Sequence, residues 1–533
     1  MTDNFSRHFL LQARANPDRL ALRIPRMQGL RCLGEETITY GELNRLAGAL
    51  QRHWLNNGRA PGQGLRAGDR VVVIAQPSTA LYAVVLSLLA SGLVAVFIDT
   101  GMGKQKIRQA LQDADASAIV SVRALLRRRW LVPELRRLKS WSLDGGGLFF
   151  RALPMAVQAN DELQLMTPVS GDHGLISFTS GSTGRPKGAD RTHHSLDQQH
   201  FAILRHWPNG DGEVDSPCFP VLVLHNLSCG MSTVLPRVDL ATPGSVAAQP
   251  LVEHWRQHQV VRVSGAPAYF SAICAYLLAN HQTLPQVTGL SIGGAPVSLS
   301  LAAQLRQAFP NALARIAYGS TEAEPIAVLN IDDYLNGANP EQGLLVGTVV
   351  DEAEVLVATV NDQGQPNACL PNQQGEILVA GNHVLQGYYR NARADMANKI
   401  PRPGGDVWHR TGDVGYFDQC NHLWLTGRLA DAVQLADGLS QPLPLEQQLD
   451  RLDNVVRSAV VQCGGQLCLF VVSPLGLAQL KQTLMTCLPA GHWQLIRLDT
   501  MPVDGRHNSK IDRPGLRAGA FHALERLMLE QGE

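Results

Sequence analysis

The 533-residue chain has no excess of either charge, since 46 Lys and Arg residues balance 46 Asp and Glu residues. Proteins that hold nucleic acid through its phosphates usually carry a basic surplus, so nucleic acid is not expected as a partner. The nine cysteines are scattered, and the nearest pair, Cys463 and Cys468, has no second Cys or His pair to complete a zinc site. We therefore expect reduced thiols and neither a disulfide framework nor a structural zinc.

Internal repeats, low-complexity linkers and an apolar leader are also missing. Apolar residues make up 45% of the chain, charged residues 17% and aromatic residues only 6%, which is typical of a globular protein. The first residues are charged from Asp3 onward and contain no secretory apolar core. We expect a cytoplasmic protein with three or four structural units, at roughly 150 residues per unit.

One uncharged run, Leu81–Ile98, is long enough to be compared with a membrane span. Ser87, Ser91 and Gly92 interrupt it, and the run divides into a buried helix, a glycine turn and a strand of a parallel sheet. We predict no stable membrane span.

Basic side chains are concentrated at one place, in Arg123–Arg129 and at Arg136 and Arg137 just beyond it. A solvated helix face is the usual reason for such a run, and an anion-binding patch is the alternative. The sequence assigns this segment no function.

Strand-like and helical patterns alternate along much of the chain. Strand-like segments occur at 70–76, 93–99, 117–122 and 175–180, and the amphipathic segment Lys104–Asp115 lies among them. This alternation predicts an α/β fold with doubly wound parallel sheets. Short strands with turns over Val349–Leu385 predict a small β subdomain or barrel.

The last hundred residues have a different pattern. Residues 458–472 form one strand-like run, SAVVQCGGQLCLFVV, flanked by helix candidates at 445–453 and 475–487. This segment has the size of a small α+β domain.

The sharpest local motif is a strand that runs into a loop rich in glycine and hydroxyl residues and ends at a lysine. Glycines let backbone N–H groups converge on phosphate oxygens, hydroxyl groups add donors and the lysine adds charge. The Walker pattern does not fit, because a proline precedes the lysine and a glycine follows it. A plain surface linker would lack the strand and the lysine. We predict a phosphate-binding loop made of Thr179, Ser180, Gly181, Ser182, Thr183, Gly184 and Lys187.

This loop resembles the phosphate loop of the adenylate-forming superfamily of acyl-CoA synthetases, peptide-synthetase adenylation domains and luciferases. Four later segments resemble the other motifs of that superfamily in the same order: Ala317–Glu322, Arg410–Asp413, Thr426–Arg428 and Asn508–Lys510. The resemblance implies an N-terminal domain, 1–428, that binds ATP and the acyl group. It also implies a mobile C-terminal lid, 429–533, that carries a catalytic lysine.

The segment around Glu322 makes chemical sense on its own. Its carboxylate follows Thr321, a candidate phosphate-binding and catalytic residue, and could hold Mg²⁺ against ATP, while Tyr318 offers an aromatic face to adenine. The same residues also fit a helix start with an acidic first turn. The resemblance adds Gly319 to the ATP site, together with the segment that lines the adenine and acyl pockets, Gly293, Gly294 and Ala295.

Four further residues are candidates for the active site, although the sequence around each is less informative than the phosphate loop. Asp413 lies in a Thr-Gly-Asp turn that can present its carboxylate to the ribose hydroxyls, although an Asx turn closing a loop is the alternative.

Arg428 resembles the hinge arginine of the superfamily. His225 resembles its histidine between the pyrophosphate exit and the acyl pocket, whereas a lone histidine is usually a satisfied core residue. Lys510 resembles the catalytic lysine, whose ammonium stabilises charge on the carboxylate and the α-phosphate; alone it would be an exposed C-terminal lysine.

One departure from the acyl-CoA ligases and two further resemblances point to a particular branch of the superfamily. Their hinge residue two places after the arginine is usually Asp or Lys, and here it is Ala430. The segments Pro502–Ile511 and Phe97–Gly103 resemble the β-lactone synthetases of bacterial olefin biosynthesis, whose hinge position is also alanine.

The resemblance implies that a carboxylic acid, expected to be a 2-alkyl-3-hydroxy fatty acid, attacks ATP with Mg²⁺ present to give an acyl-adenylate. The substrate's own hydroxyl then displaces AMP and closes a β-lactone, a step favoured by high effective molarity. The alternative is a thioester ligase that uses CoA or an acyl-carrier protein, and pathway enzymes are further candidate partners. A non-catalytic nucleotide-binding protein is disfavoured, because Lys187, Glu322, Asp413 and Lys510 are all present.

Overall fold

The computed structural model describes residues 4–56, 64–167, 172–179, 185–238, 246–435, 438–503, 510–519 and 521–531. Helices and strands alternate from the start of the chain, as the sequence predicts. The first elements are α1 (Arg7–Ala15), β1 (Leu20–Gln28), β2 (Arg31–Thr39), α2 (Tyr40–Asn56), β3 (Arg70–Ile74), α3 (Thr79–Ala90), β4 (Val94–Ile98), α4 (Lys104–Ala114), β5 (Ala118–Ser121), α5 (Arg123–Leu126), β6 (Lys139–Ser142), β7 (Arg151–Ala152), β8 (His173–Thr179) and β9 (Lys187–Thr192).

Strands β3 to β9 form a seven-stranded sheet in the order β7-β6-β5-β3-β4-β8-β9. All neighbours are parallel except β8 and β9, which are antiparallel. Helix α3 is buried at every residue from Ala80 to Ala90. Because no side of the helix faces water, its sequence needs no polar face. The long apolar run is thus helix α3, a turn at Gly92 and strand β4. Among the described residues, no helix is long and apolar enough to cross a membrane.

The middle of the chain continues the α/β pattern. Its elements are α6 (His193–His206), β10 (Val214–Pro217), α7 (Pro220–Cys229), β11 (Ser232–Val234), α8 (Ala248–Gln257), β12 (Arg262–Gly265), α9 (Pro267–Ala279), β13 (Gly289–Gly293), α10 (Leu299–Ala308), β14 (Leu313–Ser320), β15 (Ala323–Asn330) and α11 (Ile331–Gly337). Strands β10 to β14 are parallel, and β15 turns back against β14.

The next segment is mostly antiparallel. It contains β16 (Leu344–Val349), β17 (Glu354–Val360), β18 (Pro366–Ala368), β19 (Gly375–Ala380), α12 (Ala392–Asn398), β20 (Lys399–Pro401), β21 (Val407–Phe417) and β22 (Leu423–Arg428). These strands extend the large sheet, whose order is β18-β17-β19-β21-β22-β16-β15-β14-β13-β12-β10-β11-β1-β2, with β20 beside β21. The short strands predicted over Val349–Leu385 are therefore present, and they continue this sheet.

The C-terminal segment has a sheet and a core of its own. It contains β23 (Val433–Leu435), β24 (Gly438–Ser440), α13 (Leu443–Leu449), β25 (Arg457–Cys463), β26 (Gln466–Val472), α14 (Leu477–Met485), β27 (Gly491–Leu498), α15 (Arg513–Arg517) and β28 (Ala523–Gln531). Strands β25 to β28 form a four-stranded sheet with apolar clusters on both faces. The single strand-like run predicted at 458–472 is instead a hairpin, because Gly464 and Gly465 take positive φ angles and reverse the chain.

Candidate active site

The carboxyl end of β13 and strand β14 place the predicted glycine segment beside the aromatic segment. Gly293 pairs with Ala317, and a Cβ atom on Gly293 would lie 2.6 Å from the Ala317 carbonyl oxygen. Only glycine allows the two backbones to approach this closely. Gly293 therefore lies beside Ala317, the residue before Tyr318, and the predicted roles of Gly293, Gly294 and Ala295 in lining the adenine and acyl pockets stay predictions.

A first polar cluster forms around Asp413. The Tyr318 hydroxyl donates a hydrogen bond to Oδ2 of Asp413 over 2.8 Å, and the Arg428 guanidinium contacts Oδ1 at 3.0 Å. Arg428 also donates to the Thr411 carbonyl oxygen. Burial, reinforced by Asp413, raises the pKa of Tyr318 well above its ordinary value, so this hydroxyl remains a donor. The carboxylate keeps free lone pairs for additional donors.

The prediction of a turn at Asp413 is wrong. Residues 411–413 lie inside the long strand β21, where Gly412 has a φ of +71° and the strand pairings with β19 and β22 both shift register. Such an irregularity re-aims side chains without ending the strand. The carboxylate is therefore held by a bulged strand and by its partners on β14 and β22.

Glu322 lies in the tight connection between β14 and β15, where Ser320 pairs with Ala323. The alternative of a helix start is therefore wrong, because the chain reverses into an antiparallel strand. The backbone N–H of Glu322 donates to the Ser320 hydroxyl, and its carbonyl oxygen accepts from the N–H of Leu385. These bonds orient the side chain from both ends of the turn.

A second polar cluster surrounds the Glu322 carboxylate. The Tyr388 hydroxyl donates to its Oε1 over 2.8 Å. Burial alone would raise the pKa of Glu322, but the hydrogen bond from Tyr388 and the charge of Lys399 hold it below its ordinary value. Glu322 is therefore an ionised carboxylate in a partly enclosed site, and its charge can be matched by a cation.

Two buried lysines flank the Tyr388 ring. The Nζ atom of Lys187 lies 5.1 Å from the ring centroid and 3.2 Å from Oδ1 of Asn398. The Nζ atom of Lys399 lies 5.5 Å from the same centroid and donates to the Leu385 carbonyl oxygen. Burial lowers the pKa of both ammonium groups, for Lys399 to about 8, while Glu322 opposes the decrease. The arrangement places two cations beside one anion, a pattern suited to an anionic ligand.

His409 and Arg191 complete this region. His409 is buried, its Nδ1 atom has no partner among the described residues, and burial together with Lys399 lowers its pKa to about 3. It is therefore a neutral imidazole. Arg191 donates to the Ser177 hydroxyl and to the Thr321 carbonyl oxygen over 2.9 and 2.7 Å. It thereby joins strands β8 and β9 to the β14–β15 connection.

The predicted phosphate loop is described only at its ends. Thr179, the last residue of β8, pairs directly with Lys187, the first residue of β9. The intervening predicted residues Ser180, Gly181, Ser182, Thr183 and Gly184 lie outside the described residues. Thr179 and Lys187 therefore lie side by side at one edge of the seven-stranded sheet, where Lys187 approaches Tyr388.

The structure also describes the predicted residues His225 and Lys510. His225 lies in α7 and is buried, with its Nδ1 atom 3.1 Å from that of His200 and its Nε2 atom 3.5 Å from the Cys229 sulfur. Burial lowers its pKa well below the ordinary value. Lys510 is exposed and precedes Ile511, which forms a backbone bridge to Val503; Asn508, the start of its motif, lies outside the described residues. Their assigned roles remain predictions.

Three residues of the cluster were not anticipated from the sequence. His409 immediately precedes the Arg410–Asp413 motif, so its position alone could have drawn attention to it. Tyr388 lies in a Gly-Tyr-Tyr segment after strand β19. Lys399 has no local signal, because it is one lysine at the start of a three-residue strand.

The chain is similar to known proteins along most of its length. Residues 9–389 match the family model described as AMP-binding enzyme. The chain is 30% identical to an olefin beta-lactone synthetase of Stenotrophomonas maltophilia (strain K279a), over 96% of this chain and 97% of that protein. It is 29% identical to an olefin beta-lactone synthetase of Xanthomonas campestris pv. campestris, over 95% of each. The solved amide bond synthetase McbA from Marinactinospora thermotolerans superposes with a TM-score of 0.79 at 21% identity, covering 97% and 99% of the two chains.

Proposed function

Since the chain belongs to the AMP-binding enzyme family, we propose that it converts a 2-alkyl-3-hydroxy fatty acid into a β-lactone by way of an acyl-adenylate. The observation that carries the adenylation step is a pair of polar clusters, one containing Tyr318 and the other Glu322, two residues of the β14–β15 hairpin. Asp413 with Tyr318 and Arg428 is suited to ribose hydroxyls, and Glu322 with Lys187 and Lys399 is suited to phosphates.

In the first step, a carboxylate oxygen of the substrate attacks the α-phosphorus of ATP and pyrophosphate leaves. Lys187 and the backbone of its loop bind the phosphates, and Tyr318 presents its ring to adenine beside the segment that begins at Gly293. Lys510 stabilises the charge that develops on the α-phosphate. These groups position the reactants, which is the main source of catalysis in phosphoryl and nucleotidyl transfer.

The residues present fit a Mg²⁺ ion. Glu322 offers an ionised carboxylate, the hard oxygen ligand that Mg²⁺ prefers, and the remaining ligands would come from the nucleotide and water. When bound, the ion would neutralise charge on the departing pyrophosphate. Glu322 is the residue that would hold it, and Tyr388 fixes the orientation of the carboxylate.

In the second step, the 3-hydroxyl oxygen attacks the acyl carbonyl carbon. The bond to the AMP oxygen breaks, AMP leaves and the hydroxyl proton passes to solvent or a base. No thiol acceptor is needed. The identity to two olefin beta-lactone synthetases along nearly the whole chain supports this outcome, as does Ala430 in place of the Asp or Lys usual at the hinge of CoA ligases.

We also propose that 1–428 binds ATP and acid and that 429–533 acts as a lid carrying Lys510. The C-terminal sheet with its separate apolar clusters supports a distinct unit. Asp431, just after the hinge position, contacts Arg517 at 2.8 Å and Arg513 at 3.4 Å. These ion pairs attach the segment after Arg428 to the C-terminal unit, so a rotation would occur at Arg428 and Leu429.

The test is to incubate the purified protein with Mg·ATP and a racemic 2-alkyl-3-hydroxy fatty acid, without CoA, and to identify the products by NMR and mass spectrometry. We expect a β-lactone, AMP and pyrophosphate. The matched control is the 2-alkyl acid without the hydroxyl group, which should stop at the acyl-adenylate.

Accumulation of acyl-adenylate from the hydroxy acid would contradict lactone closure while preserving the adenylation step. CoA and a carrier protein would then be added in turn to detect a thioester. Absence of pyrophosphate release with either acid would contradict adenylation of this substrate class.

A further inference from the structure

A basic segment stands out in an otherwise neutral chain. Between Arg123 and Arg151 there are eight Arg or Lys residues and two Asp or Glu residues, against 46 and 46 in the whole chain. Both acidic side chains are already engaged, since Glu134 binds Arg108 and Asp144 accepts from the N–H of Arg123 and the hydroxyl of Ser142. The basic side chains that reach solvent are Arg123, Arg127, Arg128, Arg136, Arg137, Lys139 and Arg151.

Large apolar side chains protrude among these cations. Leu131 is 80% exposed and Leu148 is 89% exposed, and their chain neighbours Trp130 and Phe149 are 43% and 55% exposed. The Trp130 and Phe149 rings pack edge to face with centroids 5.2 Å apart, which brings the two protruding segments together. We call Arg123–Arg137 with Leu148 and Phe149 the basic apolar patch.

Buried apolar contacts and hydrogen bonds support the patch. Leu126, Leu135 and Phe150 belong to one buried apolar cluster, and Arg129 is buried with its guanidinium bonded to the Ser140 hydroxyl. Arg136 donates twice to the carbonyl oxygen of Trp130. The exposed leucines are therefore presented by an ordered support, so their exposure is a feature of the folded protein.

Exposed leucines and aromatics ringed by arginines match the chemistry of an anionic lipid surface. Apolar tips enter the acyl region, aromatic rings occupy the interface, and guanidinium groups bind the headgroup phosphates while their stems lie along apolar surface. Single protruding side chains suit a deformable lipid layer better than a protein partner, which needs a broad complementary face.

The patch and the start of β9 lie toward opposite sides of the seven-stranded sheet. Strand β7 and the adjacent β6 lie at one edge of the seven-stranded sheet, and β9, which begins at Lys187, lies at the other. Most of the patch, Arg123–Arg137, follows β5, which lies four strand spacings from β9, or roughly 19 Å at about 4.8 Å each.

We propose that the basic apolar patch docks the protein peripherally on anionic lipid membranes. This docking is independent of the acyl acceptor and of lactone closure. It requires no membrane span, because only side-chain tips enter the lipid.

The test is sedimentation of the full-length protein with sucrose-loaded vesicles of phosphatidylcholine, with or without phosphatidylglycerol. We expect binding to vesicles that contain phosphatidylglycerol to be at least about tenfold tighter, and to weaken as salt is raised. Absence of binding to the anionic vesicles overturns the proposal, even if the protein captures another protein through this face.

Two double variants locate the contact. Leu131→Ser with Leu148→Ser, and Arg127→Gln with Arg128→Gln, should each weaken binding to anionic vesicles by about tenfold or more. The matched controls are Leu30→Ser with Leu33→Ser, whose leucines are 58% and 54% exposed on the β1–β2 hairpin, and Arg31→Gln with Arg451→Gln.

All four variants should keep wild-type ATP–pyrophosphate exchange with a short, water-soluble acid, which shows that the fold is intact. Equal vesicle binding by the wild type and both patch variants, or an equal loss in the control variants, overturns the assignment to this patch.

Discussion

Tyr318 on β14 donates a hydrogen bond to Asp413 on β21, and the opposite carboxylate oxygen contacts Arg428 at the end of β22. Strand β14 thus meets the β21–β22 hairpin, which is distant from it in sequence, at one carboxylate. The arrangement orients Asp413 before any ligand arrives, which is the preorganisation that a binding site for ribose hydroxyls requires.

Replacing Asp413 by Asn should raise the KM for ATP by about ten- to a hundredfold, the scale of losing hydrogen bonds to a charged group. Tyr318→Phe should have a smaller effect, about threefold to tenfold, because it removes only the orienting hydroxyl. ATP–pyrophosphate exchange measures both. An Asp413→Asn variant with unchanged KM for ATP would contradict the ribose assignment.

Glu322→Gln should weaken the use of Mg·ATP. The amide can still accept the hydrogen bond from Tyr388, so the loss would come from the missing charge on the proposed metal ligand. We expect the Mg²⁺ concentration for half-maximal pyrophosphate release to rise by about tenfold. Glu341→Gln, at an exposed glutamate outside the cluster, is the control. Unchanged metal dependence in Glu322→Gln would argue against the ligand role.

Lys399 gives adenylate formation a dependence on alkaline pH. Burial lowers its pKa to about 8, so the ammonium loses its proton, and with it the charge beside Glu322, as the pH rises through that value. The rate of adenylate formation should therefore fall above about pH 8. Lys399→Met should be slower by about tenfold at neutral pH, the scale of losing one charge contact, and should lack this alkaline decrease. A decrease of the same size in the variant would assign it to another group.

Lys510→Ala should reduce adenylate formation by at least about a hundredfold, the scale of removing a group that stabilises transition-state charge. The fold should be retained, because Lys510 is exposed. Lys481→Ala, an exposed lysine on α14 of the same C-terminal segment, serves as the control. Pyrophosphate release near the wild-type rate in Lys510→Ala would exclude the catalytic assignment.

Asp450 makes the stability of the C-terminal segment depend on pH. Burial raises its pKa from 3.8 to about 6, so the folded state holds the proton longer than the unfolded state. Stability therefore falls as the pH rises from about 4 to about 6, by up to roughly 3 kcal/mol, and then levels off.

Asp450→Asn should remove this dependence. An Asn oxygen can still accept from the N–H and hydroxyl of Ser458, as Oδ1 of Asp450 does. The difference in free energy of unfolding between variant and wild type should grow over that pH range in urea titrations. Asp453→Asn, at an exposed position, should leave the wild-type profile intact, and a parallel profile for Asp450→Asn would contradict the role of this carboxyl.

The two motif carboxylates show where sequence reasoning succeeded and where it failed. Their residue types and order were sufficient to propose a nucleotide site. The local structure at each was misjudged: Glu322 lies in a hairpin connection, and Asp413 lies in a bulged strand. Turn and strand preferences of short polar segments are weak, and pairing with distant strands overrides them.

The amino-acid sequence alone determined the alternation of strands and helices. It also determined where glycines permit close backbone approach and which acidic and basic residues are available to a nucleotide. Only the tertiary structure decided which side chains meet. Tyr388 reaches Glu322 across 66 residues, and Tyr318 reaches Asp413 across 95. The same is true of Trp130 and Phe149, whose contact joins two short segments into one surface. Such contacts depend on how sheets order their strands, and no local pattern of residues encodes that order.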